Sequence, residues 1–220
     1  MMGAGAAARC PLPFARGGRR MSEIVLVRHG ATEWSAVGKH TGRTDLPLSP
    51  PGEAGARALR PILGPRTFGL TLVSPLRRAR RTAELAGLDS YQVDDDLAEW
   101  NYGTADGRTT AEISADRGAP WSIWNDGVED MGGESLSAVA ARGARVLARA
   151  RTVLESGQDV ALVGHGHALR ILAAGWIALE PSVGATLALS PGSVSALGFE
   201  HERHVIERWN VRPGDVLGGS

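Results

Sequence analysis

The stretch Ile24-Val25-Leu26-Val27-Arg28-His29-Gly30 decides how this chain is read. Four apolar residues in a row, three of them β-branched, fit a short strand buried on both faces, as strands of a parallel sheet are. The run then breaks off in a cation, an imidazole and a glycine. In open α/β sheets functional groups collect just beyond the carboxyl ends of the strands. Arg28 and His29 at such an end mark a site for an anion, with His29 able to act as a nucleophile.

The bulk properties narrow the field. A chain of 220 residues is long enough for one α/β domain with a real core. The formal net charge is zero, so long-range attraction favours neither nucleic acid nor an anionic membrane as partner. Lys39 is the only lysine; the positive charge is otherwise arginine, the side chain suited to bidentate phosphate recognition. The single cysteine, Cys10, excludes an intrachain disulfide framework and a cysteine-based metal site. No run of residues reaches the length of a membrane span. Residues 1–20, rich in Ala, Gly, Arg and Pro without apolar periodicity, read as a disordered extension or a misassigned start ahead of Met21. Residues 21–220 then form a single domain, expected to be soluble and cytoplasmic.

Working outward from the first strand, Gly38 to Ser49 is a turn-rich loop. Ser49-Pro50-Pro51-Gly52-Glu53 opens a helix, with Ser49 as cap, prolines in the first turn and an acid at the positive dipole end. Ala54, Ala58, Leu59, Ile62 and Leu63 are its expected apolar face. Leu70 to Val73 is a second buried strand, followed by Ser74-Pro75-Leu76-Arg77-Arg78-Ala79-Arg80-Arg81-Thr82-Ala83. Most of these arginines must face solvent, but one in the first helical turn can point at the strand ends. Tyr91 to Val93 is a third, short strand, and Asp94-Asp95-Asp96 a solvated turn. Glu99 follows beside Trp100 and Tyr102, apolar surroundings that suit a proton donor. Trp121, Ile123 and Trp124 read as a short helix or lid. Leu136 to Leu154 is a long helix, Asp159 to Val163 another buried strand, and Ala168 to Leu179 a helix directly after Gly164-His165-Gly166-His167. Ser193 to Glu200 and His204 to Trp209 are a closing pair of strands, and Pro213 onward frays.

Three buried strands thus end in loops carrying His29, His165 and arginine, with Glu99 as an acid. His165 and His167 also have spacing that permits a shared metal on a strand, but no third ligand stands with them, and no metal site is assigned.

These pieces resemble the phosphoglycerate mutase-like branch of the histidine phosphatase superfamily. The likeness is carried by Arg28-His29-Gly30-Ala31-Thr32-Glu33-Trp34, Thr41-Gly42-Arg43 with Leu48-Ser49-Pro50-Pro51-Gly52, Ser74-x-Leu76-x-Arg78-Ala79-x-x-Thr82-Ala83, Leu97-Ala98-Glu99, Gly133-Glu134-Ser135 and Val163-Gly164-His165-Gly166. It implies a three-layer α/β/α fold with a mostly parallel central sheet and an antiparallel strand near one edge. It implies His29 as the residue that becomes phosphohistidine, Arg28, Arg78 and His165 as holders of the phosphoryl oxygens, and Glu99 as acid and then base. It adds Ser35, Thr41, Gly42 and Gly166 as substrate-binding positions, and leaves Arg77, Arg80 and Arg81 on the surface and His167 structural. No cofactor or metal is required, since arginines supply the positive charge; the partner is a small phosphorylated substrate, and a homodimer is left open. Among activities, the short, lysine-free stretch between Glu99 and His165, and Ser35 where mutases of the family carry asparagine, favour a phosphatase like the bacterial acid phosphatases. A cofactor-dependent phosphoglycerate mutase, a phosphatase for a sugar bisphosphate or a cobalamin-pathway phosphate, and an inactive phospholigand-binding module are the alternatives.

Overall fold

The computed structural model describes residues 21–217. Strand β1 (Ile24–Arg28) is central to a six-stranded sheet whose other members are β2 (Leu70–Val73), β3 (Gln92–Val93), β4 (Val160–Gly164), β5 (Val194–Glu200) and β6 (Arg203–Val211). Their order is β3-β2-β4-β1-β5-β6. β1, β2, β3 and β4 are parallel, with Ile24 and Leu70 both opposite Val160. β5 pairs antiparallel with β1 and with β6, so the one reversed strand lies next to an edge, as expected.

Helices α1 (Glu33–Ala36), α2 (Pro50–Ala58), α3 (Arg60–Leu63), α4 (Arg77–Leu85), α5 (Thr110–Arg117), α6 (Ile123–Asp126), α7 (Leu136–Glu155), α8 (Gly166–Trp176) and α9 (Pro213–Leu217) fill the connections. Leu26, Leu162 and Ile24 pack on one face of the sheet against Val146, Leu147, Leu169 and Trp176 of α7 and α8. Val25, Val27, Val73 and Val163 pack on the other against Leu59, Ile62, Leu63, Ala79 and Ala83 of α2 to α4. Alternating side chains of the same strands serve two cores, which is why β1 and β4 read as unbroken apolar runs. Each fully buried Leu, Ile or Val contributes about 1.5–3 kcal/mol relative to exposure.

A third cluster, of Trp100, Tyr102, Ile113, Trp121, Ile123 and Val128, lies apart from both. It holds the segment expected to be a short helix or a lid: α6 is that short helix, and with Trp121 and Ile123 buried the segment is packed wall rather than a loose flap.

Local differences have local causes. Ser49 caps α2 through its hydroxyl, as expected. Pro61, which has no amide to donate, stands at the start of α3, and the helix breaks at Leu59; Ala56 turns inward while Ala54 is exposed. Asp94 and Asp96 are not a free solvated turn. Asp94 caps a 3₁₀ turn that contains Asp96, and the two pair with Arg149 and Arg145 of α7. Pro213 begins α9 where fraying was expected. The reading of residues 1–20 lies outside the described residues.

Candidate active site

β1, β2 and β4 end side by side, which brings His29, Ser74 and His165 together without help from any long loop. The His29 and His165 rings are 5.0 Å apart, tilted by 58°. The His29 amide donates to Gly164 O at 3.0 Å, and Gly192 N–H closes on the carbonyls of Arg28 and His29. The backbone of the motif is therefore held on both sides. Gly30 is required by a close approach: a Cβ there would lie 2.4 Å from Gly52 O.

His29 Nδ1 lies 2.7 Å from the Gly30 carbonyl oxygen. A carbonyl only accepts, so Nδ1 carries the proton and Nε2 is left with its lone pair. Burial, reinforced by the charges of Arg78 and Arg28, pushes the His29 imidazole well below its usual range. The ring is held neutral, with the Nε2 lone pair free for attack.

His165 is fixed differently. Its Nδ1 accepts from Arg78 Nε at 3.1 Å, and its Nε2 lies 2.7 Å from Ser74 Oγ. Burial first, then Arg78, lowers its pKa strongly, so the neutral ring donates to Ser74. Both ring nitrogens are thus in use. His167, by contrast, turns its Nδ1 to the Tyr102 hydroxyl; the two imidazoles do not converge on one point.

Helical register singles out the right arginine of α4: Arg78 is fully buried, whereas Arg77, Arg80 and Arg81 are exposed. Its role is broader than holding an anion. Besides His165, its guanidinium donates to the carbonyls of Thr41, Gly42 and Thr44 at 2.9–3.0 Å. It clasps the turn-rich loop to the strand ends while bringing positive charge beside His29. Arg28 is the complement. One Nη1–H reaches Leu189 O, but its buried Nε has no partner among the described residues. Its guanidinium lies over Gly166, where a Cβ would meet Cζ at 3.2 Å. The Gly166 N–H, at the first turn of α8, also makes no hydrogen bond with the described residues. An orphaned arginine donor beside a free helix N-terminal amide suits an anion.

Glu99 is buried and oriented by backbone. Oε1 accepts from Trp100 N and Ala168 N, both at 2.9 Å, and Oε2 from His167 N at 3.2 Å. The aromatic neighbours anticipated from the sequence are present, but the immediate partners are amides. Glu99 thereby caps α8, joining the acid to the helix that carries His165.

The remaining assigned positions sit near the site with their polar groups engaged. Ser35 and Thr32 cap α1 reciprocally: Ser35 Oγ accepts from Thr32 N at 2.9 Å and donates to Thr32 O at 3.0 Å. This occupies the hydroxyl assigned to substrate. Gly42 N donates to Asp106 at 2.9 Å, and Thr41 offers its carbonyl to Arg78. Both belong to the clasped loop.

Three positioning residues are not evident from the sequence. Asp106 accepts from Gly42 N, Thr44 N and Thr44 Oγ1. Thr82 accepts from Gly30 N at 3.0 Å and donates to Arg78 O. Arg142, buried on α7, grips Glu134 through Nε and Nη2 and donates through Nη1 to Asp96 O and Ala98 O, fixing the loop that carries Glu99. Only the Gly133-Glu134-Ser135 motif hints at that clamp.

The arrangement can do in-line chemistry on a phosphoryl group: a neutral nitrogen nucleophile, two buried guanidinium charges and a carboxyl group on one wall. Comparison with known proteins agrees. The family model described as histidine phosphatase superfamily (branch 1) matches residues 24–212. An acid phosphatase of Mycobacterium tuberculosis is 36% identical over 186 residues, covering 84% of this chain and 90% of that protein. A sedoheptulose 1,7-bisphosphatase of Saccharomyces cerevisiae is 39% identical over 184 residues, covering 70% of this chain and 67% of that protein. Among solved structures, that of a Mycobacterium tuberculosis open reading frame product superposes with a TM-score of 0.82 at 34% identity, covering 88% of this chain and all of that one.

Proposed function

The chain belongs to the histidine phosphatase superfamily and is a phosphoric monoester hydrolase; from that premise we propose that it hydrolyses small phosphomonoesters, without metal, through a phosphohistidine on His29. The observation that carries the proposal is the tautomer of His29, whose Nδ1–H is held by Gly30 O and whose Nε2 is free to attack.

In the first half, Nε2 attacks phosphorus as the P–O ester bond breaks, and Glu99 gives its proton to the departing alcohol oxygen. Oε2, which has a single amide partner, is the oxygen placed to carry that proton. In the second, the Glu99 carboxylate takes a proton from water, whose oxygen attacks phosphorus. The P–N bond breaks, phosphate leaves and His29 returns to its neutral form. Arg28 meets the phosphoryl oxygens with its open donors, and Arg78 contributes charge from behind His165. Such preorganised positive charge does most to lower the barrier to phosphoryl transfer.

The test is phosphate release from p-nitrophenyl phosphate in EDTA by the wild type and by His29→Ala. Activity that survives EDTA and is lost in His29→Ala is expected. Release that persists in His29→Ala overturns the nucleophile; abolition by EDTA overturns the metal-free route. Interconversion of 2- and 3-phosphoglycerate that outruns phosphate release would make the chain a mutase instead.

A further inference from the structure

One half-buried ring beside the acid, that of His167, has no part in the chemistry above. His167 gives its backbone N–H to Glu99 Oε2, so its side chain starts where the leaving group must receive its proton. The ring stands among aromatic walls: Trp124 at 5.0 Å, Tyr102 at 5.6 Å, Trp100 at 6.0 Å and His40 at 6.2 Å between centroids. Trp121 closes the set edge-on to His40 at 5.6 Å.

The polar atoms of this set are neutral donors. Burial pushes the Tyr102 phenol well above its usual range and the His167 imidazole well below, with Arg170 and His40 adding to the second effect. The phenol has no other hydrogen-bond partner among the described residues, so its single O–H is directed at Nδ1, and His167 keeps its own proton on Nε2. No group among the described residues accepts from Nε2. Trp121 Nε1 is buried and also without a partner among them. Arg170, the nearby cation, donates to the carbonyls of Gly184 and Ala185 and lies 4.7 Å over the Trp124 ring. Trp124, His40 and His167 are half-buried above the buried Trp100, Tyr102 and Trp121; a surface of ring faces and neutral donors, with its cation turned to backbone, suits an uncharged ring bearing hydroxyl groups better than a second anion.

We propose that these rings form the leaving-group subsite, that it takes an uncharged, hydroxyl-bearing ring, and that His167 is its specificity-determining residue, donating Nε2–H to an oxygen of that ring. The assignment rests on the phosphatase reading, and its test separates the two. The kcat/KM values for glucose 6-phosphate, phenyl phosphate and glycerol 3-phosphate would be measured for the wild type, His167→Phe, His167→Gln and Trp124→Ala. The wild type is expected to prefer both ring esters. The glucose 6-phosphate to glycerol 3-phosphate ratio should fall about 5- to 10-fold in His167→Phe, the size of one lost hydrogen bond, through KM rather than kcat. His167→Gln, which keeps a donor, should restore part of it. Phenyl phosphate, with no ring hydroxyl, should respond to Trp124→Ala and hardly to His167→Phe. Equal losses on all three esters would make His167 a packing residue and overturn the proposal, as would a wild-type preference for the acyclic ester.

A second readout needs no turnover. Tryptophan emission of His29→Ala, titrated with glucose 6-phosphate, should change beyond the response to inorganic phosphate. Such a change in a protein whose wild type hydrolyses none of the esters would sink the phosphatase and keep the subsite. Hydrolysis with neither selectivity nor an emission change would do the reverse.

Discussion

Two surfaces meet at the carboxyl end of the sheet, and they are built on opposite principles. The floor consists of Arg28, His29, Arg78 and His165: charged or ionisable groups, all buried except the half-buried Arg28, each pinned by hydrogen bonds to backbone or to one another. The wall consists of Trp100, Tyr102, Trp121 and Trp124 with His40 and His167, held by packing and ring contacts. The floor is placed by strand ends and the first turn of α4, whose registers leave little freedom. The four Tyr and Trp rings of the wall are placed by short helices and turns between Glu99 and α7, with His40 added from the loop before α2 and His167 from α8. A floor of this kind fixes which reaction runs; a wall of that kind is free to vary and decides which molecule undergoes it.

The sharpest way to break the contrast is Arg78→Ala. If the floor is one connected unit, removing this guanidinium takes away charge beside His29, releases His165 Nδ1 and orphans the carbonyls of Thr41, Gly42 and Thr44. Activity should fall by about 10³-fold or more, as for other groups that stabilise transition-state charge. Stability should drop by about 2–4 kcal/mol, read from denaturant unfolding, because several buried acceptors lose partners together. Arg78→Lys should rescue little, since one ammonium cannot reproduce four divergent donors. A fall in activity with no loss of stability would mean that the loop clasp is incidental.

The same division explains what is legible in the sequence. Ile24 to Val27 and Val160 to Val163 are apolar runs that only a doubly covered sheet explains, and the residues just past them have to lie at its carboxyl edge. Among the four arginines, periodicity says only that one in the first turn can face the strand ends; the resemblance to the Ser74-x-Leu76-x-Arg78 motif is what points to Arg78. The wall is less legible. Trp121 and Ile123 carry no period over so short a span, so packed residues read as a lid. Asp106, Thr82 and Arg142 act through hydrogen bonds across 44 to 64 residues of chain, and no local pattern announces such pairings. Ser35 misleads for a related reason: a hydroxyl beside a reactive motif looks available until its cap partner is seen.

The ring nitrogens of the floor give a second test, through pH. Burial holds His29 and His165 well below 6.5 in the folded state. The unfolded chain takes up protons on both as pH falls through about 6.5, while the folded rings resist. Stability should therefore decline as pH drops below about 6.5, by up to about 1.4 kcal/mol per pH unit for each ring, and be unaffected by them above it. The acid limb of kcat/KM should correspondingly lie below pH 6.5. An acid limb above that value would show that His29 is not a buried, neutral nucleophile.

Asp106→Asn probes the seam between the two surfaces at smaller cost. The carboxylate holds the Gly42–Thr44 loop that Arg78 grips from the other side. An amide oxygen can accept from only part of this set, and bonds to a charged acceptor exceed neutral ones by about 1 kcal/mol. A loss of roughly 1–2 kcal/mol in stability and about 10-fold in kcat is expected, with KM changing less.

The smallest effect discriminates between two readings of one hydroxyl. Beside a motif that carries His29, Ser35 has the chemistry of a substrate contact, yet its Oγ closes a reciprocal cap with Thr32 at the start of a four-residue helix. Cap hydroxyls contribute about 1 kcal/mol, with a range of roughly 0.5–2. Ser35→Ala should therefore lower stability by about that amount, and KM for p-nitrophenyl phosphate should move by less than about twofold, well below one lost hydrogen bond to a charged phosphate. A KM raised about 10-fold with unchanged stability would return Ser35 to the floor and enlarge the set of residues that fixes the reaction. The expected result leaves that floor to the strand ends and the first turn of α4.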